Sequence, residues 1–245
     1  MILVERRYRG PARSGNGGYT SGLLAVALRQ ATGATTATVT LQVPPPLDQP
    51  MALKPHGAGL RLLHGETVVA EVAPGEFTAD VVGPVSYAAA ETAQTAYPGF
   101  RDHPFPGCFT CGPAREPGDG LRLFPGPVAE DVVAAAWTVR PEFAGDGTAG
   151  TAVVWAALDC PGGWSVDLAG RPMVLGRMTG QVDAVPAVGQ RCVVVGHRRA
   201  EQGRKALTDS ALYDTDGRLL ARAEATWIAV DPATFEALMT DGHTD

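Results

Sequence analysis

The order of apolar segments repeats along the chain, and this repeat constrains the fold more than any other feature of the sequence. Each half contains one long apolar helical segment, and several strand-like segments follow that helix. The helical segments, residues 18–31 and 150–161, are apolar nearly all round. Such a helix must be enclosed by other elements, and a curved antiparallel sheet can enclose it. The repeat therefore predicts an α+β fold with two central helices, each wrapped by a curved antiparallel sheet.

A loop rich in Pro, Gly and Cys, residues 98–119, separates the two halves. We place an N-terminal unit at 1–100, a C-terminal unit at 104–232 and a short tail at 233–245. A further helix is predicted at 85–97. Alternating or short apolar runs predict strands in both units: 1–9, 36–43, 51–55, 59–63, 67–73, 120–126, 131–139, 174–182, 191–200, 204–214 and 218–230. Short similar segments in the two halves, such as TLQV (40–43) and TGQV (179–182), favour an internal duplication.

Composition excludes several classes of protein. The 245 residues carry a net charge of −6, which argues against nucleic acid as a partner. No run approaches the roughly eighteen apolar residues of a membrane span. The first ten residues lack the order of a secretion signal, so we expect a cytoplasmic protein with free thiols. Nothing in the sequence calls for a cofactor.

Three stretches carry a family resemblance. CFTCGPAREPGDGLRLF (108–124) resembles a segment that precedes many hotdog-fold thioesterase domains. GNGGYTSGLLAVAL (15–28) resembles the Gly-Gly opening of the central hotdog helix, and residues 203–227 resemble the closing hairpin of phenylacetate-type members. The sequence is thus similar to the hotdog-fold acyl-CoA thioesterases, in a fused double-hotdog form. The resemblance implies hydrolysis of acyl-CoA or another acyl thioester.

The family chemistry implies one composite site. In many members, backbone N–H groups at the start of a central helix polarise the thioester carbonyl. An Asp or Glu about nine positions further along the helix, used across the interface, is the nucleophile or general base. The first half has Asn16 and the Gly17-Gly18 opening, but Ala25 stands nine positions on. The second half has Asp159 without a Gly pair nine positions earlier. The resemblance therefore places Asp159 opposite Gly17 and Gly18.

Each of these residues also has a purely structural interpretation. Asp159 precedes Cys160 and Pro161, which we expect to end the helix, so its carboxylate could cap a turn or bind a loop. The Gly pair could be a tight turn between closely packed backbones. Asn16 is either a helix N-cap or a group that orients the thioester.

Four further residues are candidates for substrate binding. Tyr19 and Trp155 could form a pocket wall or belong to the core. Arg204 and Lys205 follow a hairpin glycine, where they could bind the phosphates of coenzyme A or remain solvated.

The four cysteines are candidate metal ligands. Cys108 and Cys111 have the spacing of half a zinc site, but Cys160 and Cys192 are isolated in the sequence. We therefore predict no metal and assign the Cys pair to packing. None of the five histidines accompanies a Gly-x-Ser-x-Gly motif, which argues against an α/β-hydrolase triad.

Three classes of function remain. The first is an acyl-CoA thioesterase, with a possible homodimer of double hotdogs. The second is a hotdog hydratase or dehydratase, although such enzymes usually pair the Asp with a nearby His, and no His follows Asp159. The third is a protein that binds acyl thioesters without catalysis.

Overall fold

A computed structural model describes residues 1–239, which form one ten-stranded antiparallel sheet, a two-stranded ribbon and, within that range, four α-helices. The helices are α1 (Gly17–Thr32), α2 (Tyr87–Gln94), α3 (Thr151–Trp164) and α4 (Pro232–Met239). The strands are β1 (Thr36–Leu41), β2 (Ala52–His56), β3 (Gly59–His64), β4 (Thr67–Pro74), β5 (Gly126–Ala129), β6 (Val132–Thr138), β7 (Ala144–Gly145), β8 (Thr148–Ala149), β9 (Met173–Val182), β10 (Arg191–Gln202), β11 (Lys205–Asp214) and β12 (Leu219–Ala229). None of the helices in this range combines the length and apolar character needed to cross a membrane.

The large sheet has the order β2-β3-β4-β1-β9-β12-β11-β10-β6-β5. Strands β1 and β9 pair at its middle, with Val39 opposite Met178. Outward from this junction the strands run β1-β4-β3-β2 on one side and β9-β12-β11-β10 on the other. Each set of four strands follows a central helix, α1 or α3. One helix followed by four strands in the same spatial order therefore occurs twice.

The two central helices pack directly on each other in antiparallel directions. Glycines on α1 allow the close approach. A Cβ at Gly18 would lie 2.4 Å from the Cβ of Asp159, and a Cβ at Gly22 would lie 2.6 Å from the Cα of Ala152. The N-terminal end of α1 therefore lies beside Asp159.

Helix α2 packs on the opposite face of the sheet. Along β10, Cys192 and Val194 belong to the main core with α1 and α3, whereas Val193 and Val195 belong to a separate cluster with Ala90 of α2. This division follows from the alternation of side chains along a strand. Although α2 precedes the loop at 98–119, its contacts are with β5, β6 and β10.

Two predicted strands are wrong. Residues 1–9 contain only two isolated bridges, Ile2 with Met51 next to β2 and Arg9 with Gly15, and a 3₁₀ turn over Arg6–Tyr8. In the second region, residues 120–126, Leu121 donates its N–H to the Phe109 carbonyl rather than to a neighbouring strand. Phe109 also donates its N–H to the Arg9 carbonyl, so loop contacts hold both segments, and their apolar pattern reflects burial without a regular strand.

The predicted end of the second central helix is also wrong. Helix α3 continues through Pro161 to Trp164, so Asp159 lies inside the helix and not at its end. Pro and Gly are poor helix formers, but residues 153–164 are all buried. Gly163 packs against the Trp227 ring, where a Cβ would lie 2.7 Å from Cζ2. Tertiary packing therefore outweighs local propensity here.

Residues 240–245 of the predicted tail at 233–245 lie outside the described residues, and much of the remainder is helix α4. Arg13 donates its N–H to the Leu238 carbonyl at 3.3 Å. The rings of Phe105 and Phe235 lie 5.8 Å apart. Helix α4 therefore contacts both the loop before α1 and the loop after residue 98.

Candidate active site

A cavity of about 270 Å³ lies at the N-terminal end of α1. Its wall is largely apolar and includes side chains from β1, α3, β9 and β12, among them Leu41, Trp164, Leu175 and Trp227. Thr234 and Leu238 of α4 also line it. Four residues predicted from the sequence as site residues line this cavity: Asn16, Gly17, Asp159 and Arg204.

Asp159 is a buried carboxyl group on the wall of this cavity, with 3 % of its surface exposed. Its Oδ2 accepts a hydrogen bond of 2.9 Å from the Gly18 N–H. Its Oδ1 is buried and has no hydrogen-bond partner among residues 1–239. Burial raises the pKa of Asp159 to about 7, and the Gly18 N–H and the nearby Asn16 side chain, which favour the ionised form, oppose this shift only in part. One carboxylate oxygen is therefore fixed and the other is unpaired.

Asn16 begins helix α1. Its Oδ1 accepts a hydrogen bond of 2.8 Å from the Tyr19 N–H, which confirms the N-cap interpretation. Because Oδ1 is occupied in this way, the Nδ2 amide faces Cys108, 3.8 Å from its Sγ. Asn16 is buried, with 2 % of its surface exposed. It therefore links the start of the helix to the cysteine-rich loop.

The two glycines of the opening have different surroundings. The Gly18 N–H is bound to Asp159, so it is not available to another acceptor while that bond is made. Gly17 lies at the cavity wall, and none of the residues described here accepts its N–H. A Cβ at Gly17 would lie 2.9 Å from the Leu175 Cβ, so this wall is tightly packed.

The remaining predicted binding residues are dispersed. Arg204 lies at the cavity and donates from Nε to the Ala229 carbonyl at 3.2 Å. Lys205 is exposed at the start of β11 and is not among the described residues that line the cavity. Tyr19 also lies outside it and stacks on Tyr8, with ring centroids 3.9 Å apart.

Trp155 occupies the other end of the helix pair. It is buried, and its ring packs against Gly180 of β9, where a Cβ would lie 2.8 Å from Cη2. Together with Ala25, Arg29 and Thr151 it lines a separate cavity. Within the described chain, the wall of that second cavity includes no Asp or Glu.

The fold also assembles a cluster of sulfur atoms that sequence reasoning missed. Cys160, treated as isolated in the sequence, has its Sγ 3.7 Å from the Sγ of Cys108. The Sγ atoms of Cys108, Cys111 and Cys160 lie within 4.8 Å of one another, and all three residues line the cavity. The Cys-x-x-Cys spacing was the available signal, but the third cysteine comes from α3 through tertiary contact.

Comparison with known proteins identifies the fold. No model of a known protein family matches the sequence, and no curated protein matches it. Solved structures match over nearly the whole chain. A protein from Novosphingobium aromaticivorans, provisionally assigned as a thioesterase, is 15% identical with a TM-score of 0.59 and covers 94% of each chain. A provisionally assigned thioesterase II from Thermobifida fusca is 13% identical with a TM-score of 0.58, covering 94% of this chain and 91% of its own.

The tesB protein of Mycobacterium avium subspecies paratuberculosis is 10% identical to this chain, with a TM-score of 0.57. The match covers 91% of this chain and 90% of that protein. At these identities the matches establish the fold. The chain has the hotdog fold of thioesterase-type proteins, as the sequence resemblance predicted.

Proposed function

We propose that this protein hydrolyses acyl thioesters, with acyl-CoA as the substrate class, at one composite site between α1 and α3. The proposal includes a fused double hotdog, with an N-terminal unit at 1–100 and a C-terminal unit at 104–232. The repeated order of one helix and four strands on each side of the β1–β9 junction supports this division. The fold shared with thioesterase-type proteins supports the reaction class.

The main support for this function is the hydrogen bonding of the two Asp159 carboxylate oxygens. The Gly18 N–H holds Oδ2 at 2.9 Å, and Oδ1 has no partner among the described residues. A buried polar atom without a partner is costly, and such atoms occur where chemistry uses them. A carboxyl group whose pKa lies near 7 is partly ionised at neutral pH. Its carboxylate form is also basic enough to accept a proton during the reaction. Both properties suit a catalytic carboxylate at the wall of a cavity.

In the general-base route, a water molecule attacks the thioester carbonyl carbon while Asp159 Oδ1 takes its proton. The new C–O bond leaves negative charge on the carbonyl oxygen, which accepts a hydrogen bond from the Gly17 N–H. Collapse breaks the C–S bond, and the leaving sulfur receives the proton from Asp159. The products are a carboxylic acid and a free thiol, and Asp159 returns to its starting state.

In the nucleophilic route, the same oxygen attacks the carbonyl carbon and expels the thiolate. Water then cleaves the resulting acyl-aspartyl anhydride into the carboxylic acid, the Asp159 carboxylate and a proton, and that proton converts the thiolate to the thiol. Either route needs one free oxygen on Asp159 and one free N–H at the start of α1. We assign the N–H to Gly17, because Gly18 is engaged by Asp159.

The cavity wall supports an acyl thioester as the ligand. Apolar side chains such as Leu41, Leu175 and Trp227 suit an acyl group. Arg204, exposed at the same cavity, suits a phosphate of coenzyme A. A hotdog dehydratase is less well supported. His103 lines the cavity, but its Nδ1 accepts the Phe105 N–H and its Nε2 lies 3.4 Å from Cys111 Sγ.

The test is free-thiol release from a panel of acyl-CoAs of different chain length. We expect the wild-type protein to hydrolyse at least one of them. Asp159→Asn should lower kcat/KM about 100-fold or more, because Asn fills the same space without basicity. Thermal unfolding should show that the fold is kept.

The matched control is Asp216→Asn, the same change in an exposed turn between β11 and β12. It should leave kcat/KM unchanged. Full activity of Asp159→Asn would reject the catalytic carboxylate. Absence of thiol release from every acyl-CoA, with an acyl thioester retained in native mass spectrometry, would favour the non-catalytic binding protein.

A further inference from the structure

Three cysteines converge beside the candidate active site from two separate elements. Cys108 and Cys111 lie on the loop that follows residue 98, and Cys160 lies on α3 directly after Asp159. Their exposed fractions are 4 %, 3 % and 5 %. The loop is tied to the helix nearby, since the Thr110 hydroxyl donates to the Ala156 carbonyl at 3.0 Å. The cluster is therefore part of a fixed contact between loop and helix.

The spacing of the sulfur atoms matches that of thiolates around one metal ion. Zinc binds thiolate sulfur at about 2.3 Å in tetrahedral geometry, which places two such sulfurs roughly 3.8 Å apart. The Sγ atoms of Cys108 and Cys160 are 3.7 Å apart, and Cys111 Sγ lies within 4.8 Å of both. Thiolate ligands select soft cations such as Zn²⁺.

Two N–H groups are directed at these sulfurs. The Asn16 Nδ2 amide donates towards Cys108 Sγ at 3.8 Å, because its Oδ1 is held by the Tyr19 N–H. His103 Nδ1 accepts the Phe105 N–H at 2.9 Å, so the ring proton of the neutral imidazole is on Nε2. That Nε2 lies 3.4 Å from Cys111 Sγ. N–H donors of this kind hold and tune metal-binding ligands from outside the coordination shell.

We propose that Cys108, Cys111 and Cys160 bind one Zn²⁺ ion through three thiolates, with a water molecule as the fourth ligand on the cavity side. Each of the three thiols gives up its proton to solvent when the metal binds. His103 and Asn16 are positioning residues that donate to the bound sulfurs. The ion would fix the cysteine loop to α3 next to Asp159. This site does not depend on the proposed hydrolysis.

The experiment uses full-length protein, reduced and stripped of metal, and titrated with Co²⁺ and then Zn²⁺. We expect one equivalent of Co²⁺ to bind with thiolate-to-cobalt charge-transfer absorption and the strong visible bands of a four-coordinate site. One equivalent of Zn²⁺ should remove these bands. X-ray absorption of the zinc form should give three sulfur neighbours and one oxygen neighbour.

Variants identify the ligands. Cys108→Ser and Cys160→Ser should each lose the charge-transfer bands or weaken Zn²⁺ binding strongly. Cys192→Ser is the control, because Cys192 is also buried but lies on β10, outside the cluster. It should bind like the wild type. His103→Gln should keep the bands with an affinity about 10- to 100-fold lower, as for other outer-shell donors.

Several results would overturn the proposal. The first is that the reduced wild-type protein binds neither Co²⁺ nor Zn²⁺ stoichiometrically. The cysteines would then serve either in core packing or as the site of a Cys108–Cys160 disulfide. Another is wild-type binding by Cys108→Ser. Scattering from an imidazole ring in the X-ray absorption data would show that a histidine binds the ion, and this would overturn the three-thiolate assignment. If serine variants fail to fold, the sulfur count of the wild-type zinc form still decides.

Discussion

The two ends of the α1–α3 pair have the same helices but different chemistry. At one end, the start of α1 carries Gly17 and Gly18 and meets Asp159 of α3. At the other end, the start of α3 carries Thr151 and Ala152 and lies near Ala25 of α1. The first end has a buried acid at an apolar cavity. The second has no acidic residue in its described cavity wall, and Trp155 occupies part of it.

This difference shows what an antiparallel helix pair needs in order to form such a site. The proposed mechanism requires an acid from one helix and closely approaching backbone N–H groups from the other. Gly18 permits that approach because any Cβ there would collide with Asp159. Only one end of the pair meets both requirements, so we expect one site per chain.

The largest effect on thiol release is expected when the acid is moved from one end of the α1–α3 pair to the other. The double variant Ala25→Asp/Asp159→Asn should remain about 100-fold or more below the wild type in thiol release. The new carboxylate would face Thr151 and Ala152, whose side chains stand where the opposite end has glycines. Assays of the double variant beside Asp159→Asn alone test this, and recovered activity would show that both ends can support catalysis.

A smaller effect is expected on stability when the same substitution is made at both helix starts. Gly18→Ser should lower the free energy of unfolding by about 1–3 kcal/mol, because a Cβ there would lie 2.4 Å from the Asp159 Cβ. Gly150→Ser should be neutral or stabilising by up to about 1 kcal/mol. Gly150 is the N-cap of α3, its Cβ position is open apart from Val153 at 3.9 Å, and Ser is a preferred cap.

Denaturant unfolding of both variants measures this difference. Equal destabilisation by the two substitutions would mean that the close helix contact at Gly18 has no special role. An inactive but fully stable Gly18→Ser would instead show that the side chain at position 18 disturbs the site without weakening the fold.

The smallest effect concerns the hairpin cations. Arg204→Ala should raise KM several-fold for acyl-CoA but leave KM for an acyl-pantetheine unchanged, because only acyl-CoA carries the nucleotide phosphates. Lys205→Ala should change neither value, since Lys205 is not among the described residues at the cavity. Steady-state kinetics with both substrates separates the two cations. An equal loss on both substrates would assign Arg204 a structural role through its bond to the Ala229 carbonyl.

Much of the fold could be predicted from the sequence because its elements have clear periodicity. The four long strands β9 to β12 and both central helices were predicted, with errors at their ends. The strand predicted at residues 1–9 is wrong because alternation reports burial and not pairing, and Ile2 and Arg9 form only isolated bridges. The extension of α3 past Pro161 depends on contacts with Gly196 and Trp227, which local propensity does not contain.

The residues of the candidate site could be predicted from the sequence only where they belong to a recognisable motif. Asn16, Gly17, Gly18 and Asp159 came from family spacing, and the fold brings them together. That Asp159 binds the Gly18 N–H, leaving Gly17 as the free donor, depends on the exact distance between the helices. The proximity of Cys160 to Cys108 could not be inferred either, because the two residues are 52 positions apart and meet only through the loop's return to α3.

The hydrogen-bonded junction between β1 and β9 has a consequence for how the site depends on concentration. Because α1 and α3 belong to one chain, the contact between Gly18 and Asp159 forms when the chain folds. A site shared by two separate chains is lost on dilution below the dissociation constant of the pair. Here the partner helix is always present at the high effective concentration that covalent linkage provides. A single molecule therefore carries the whole of the proposed site, however dilute the protein becomes.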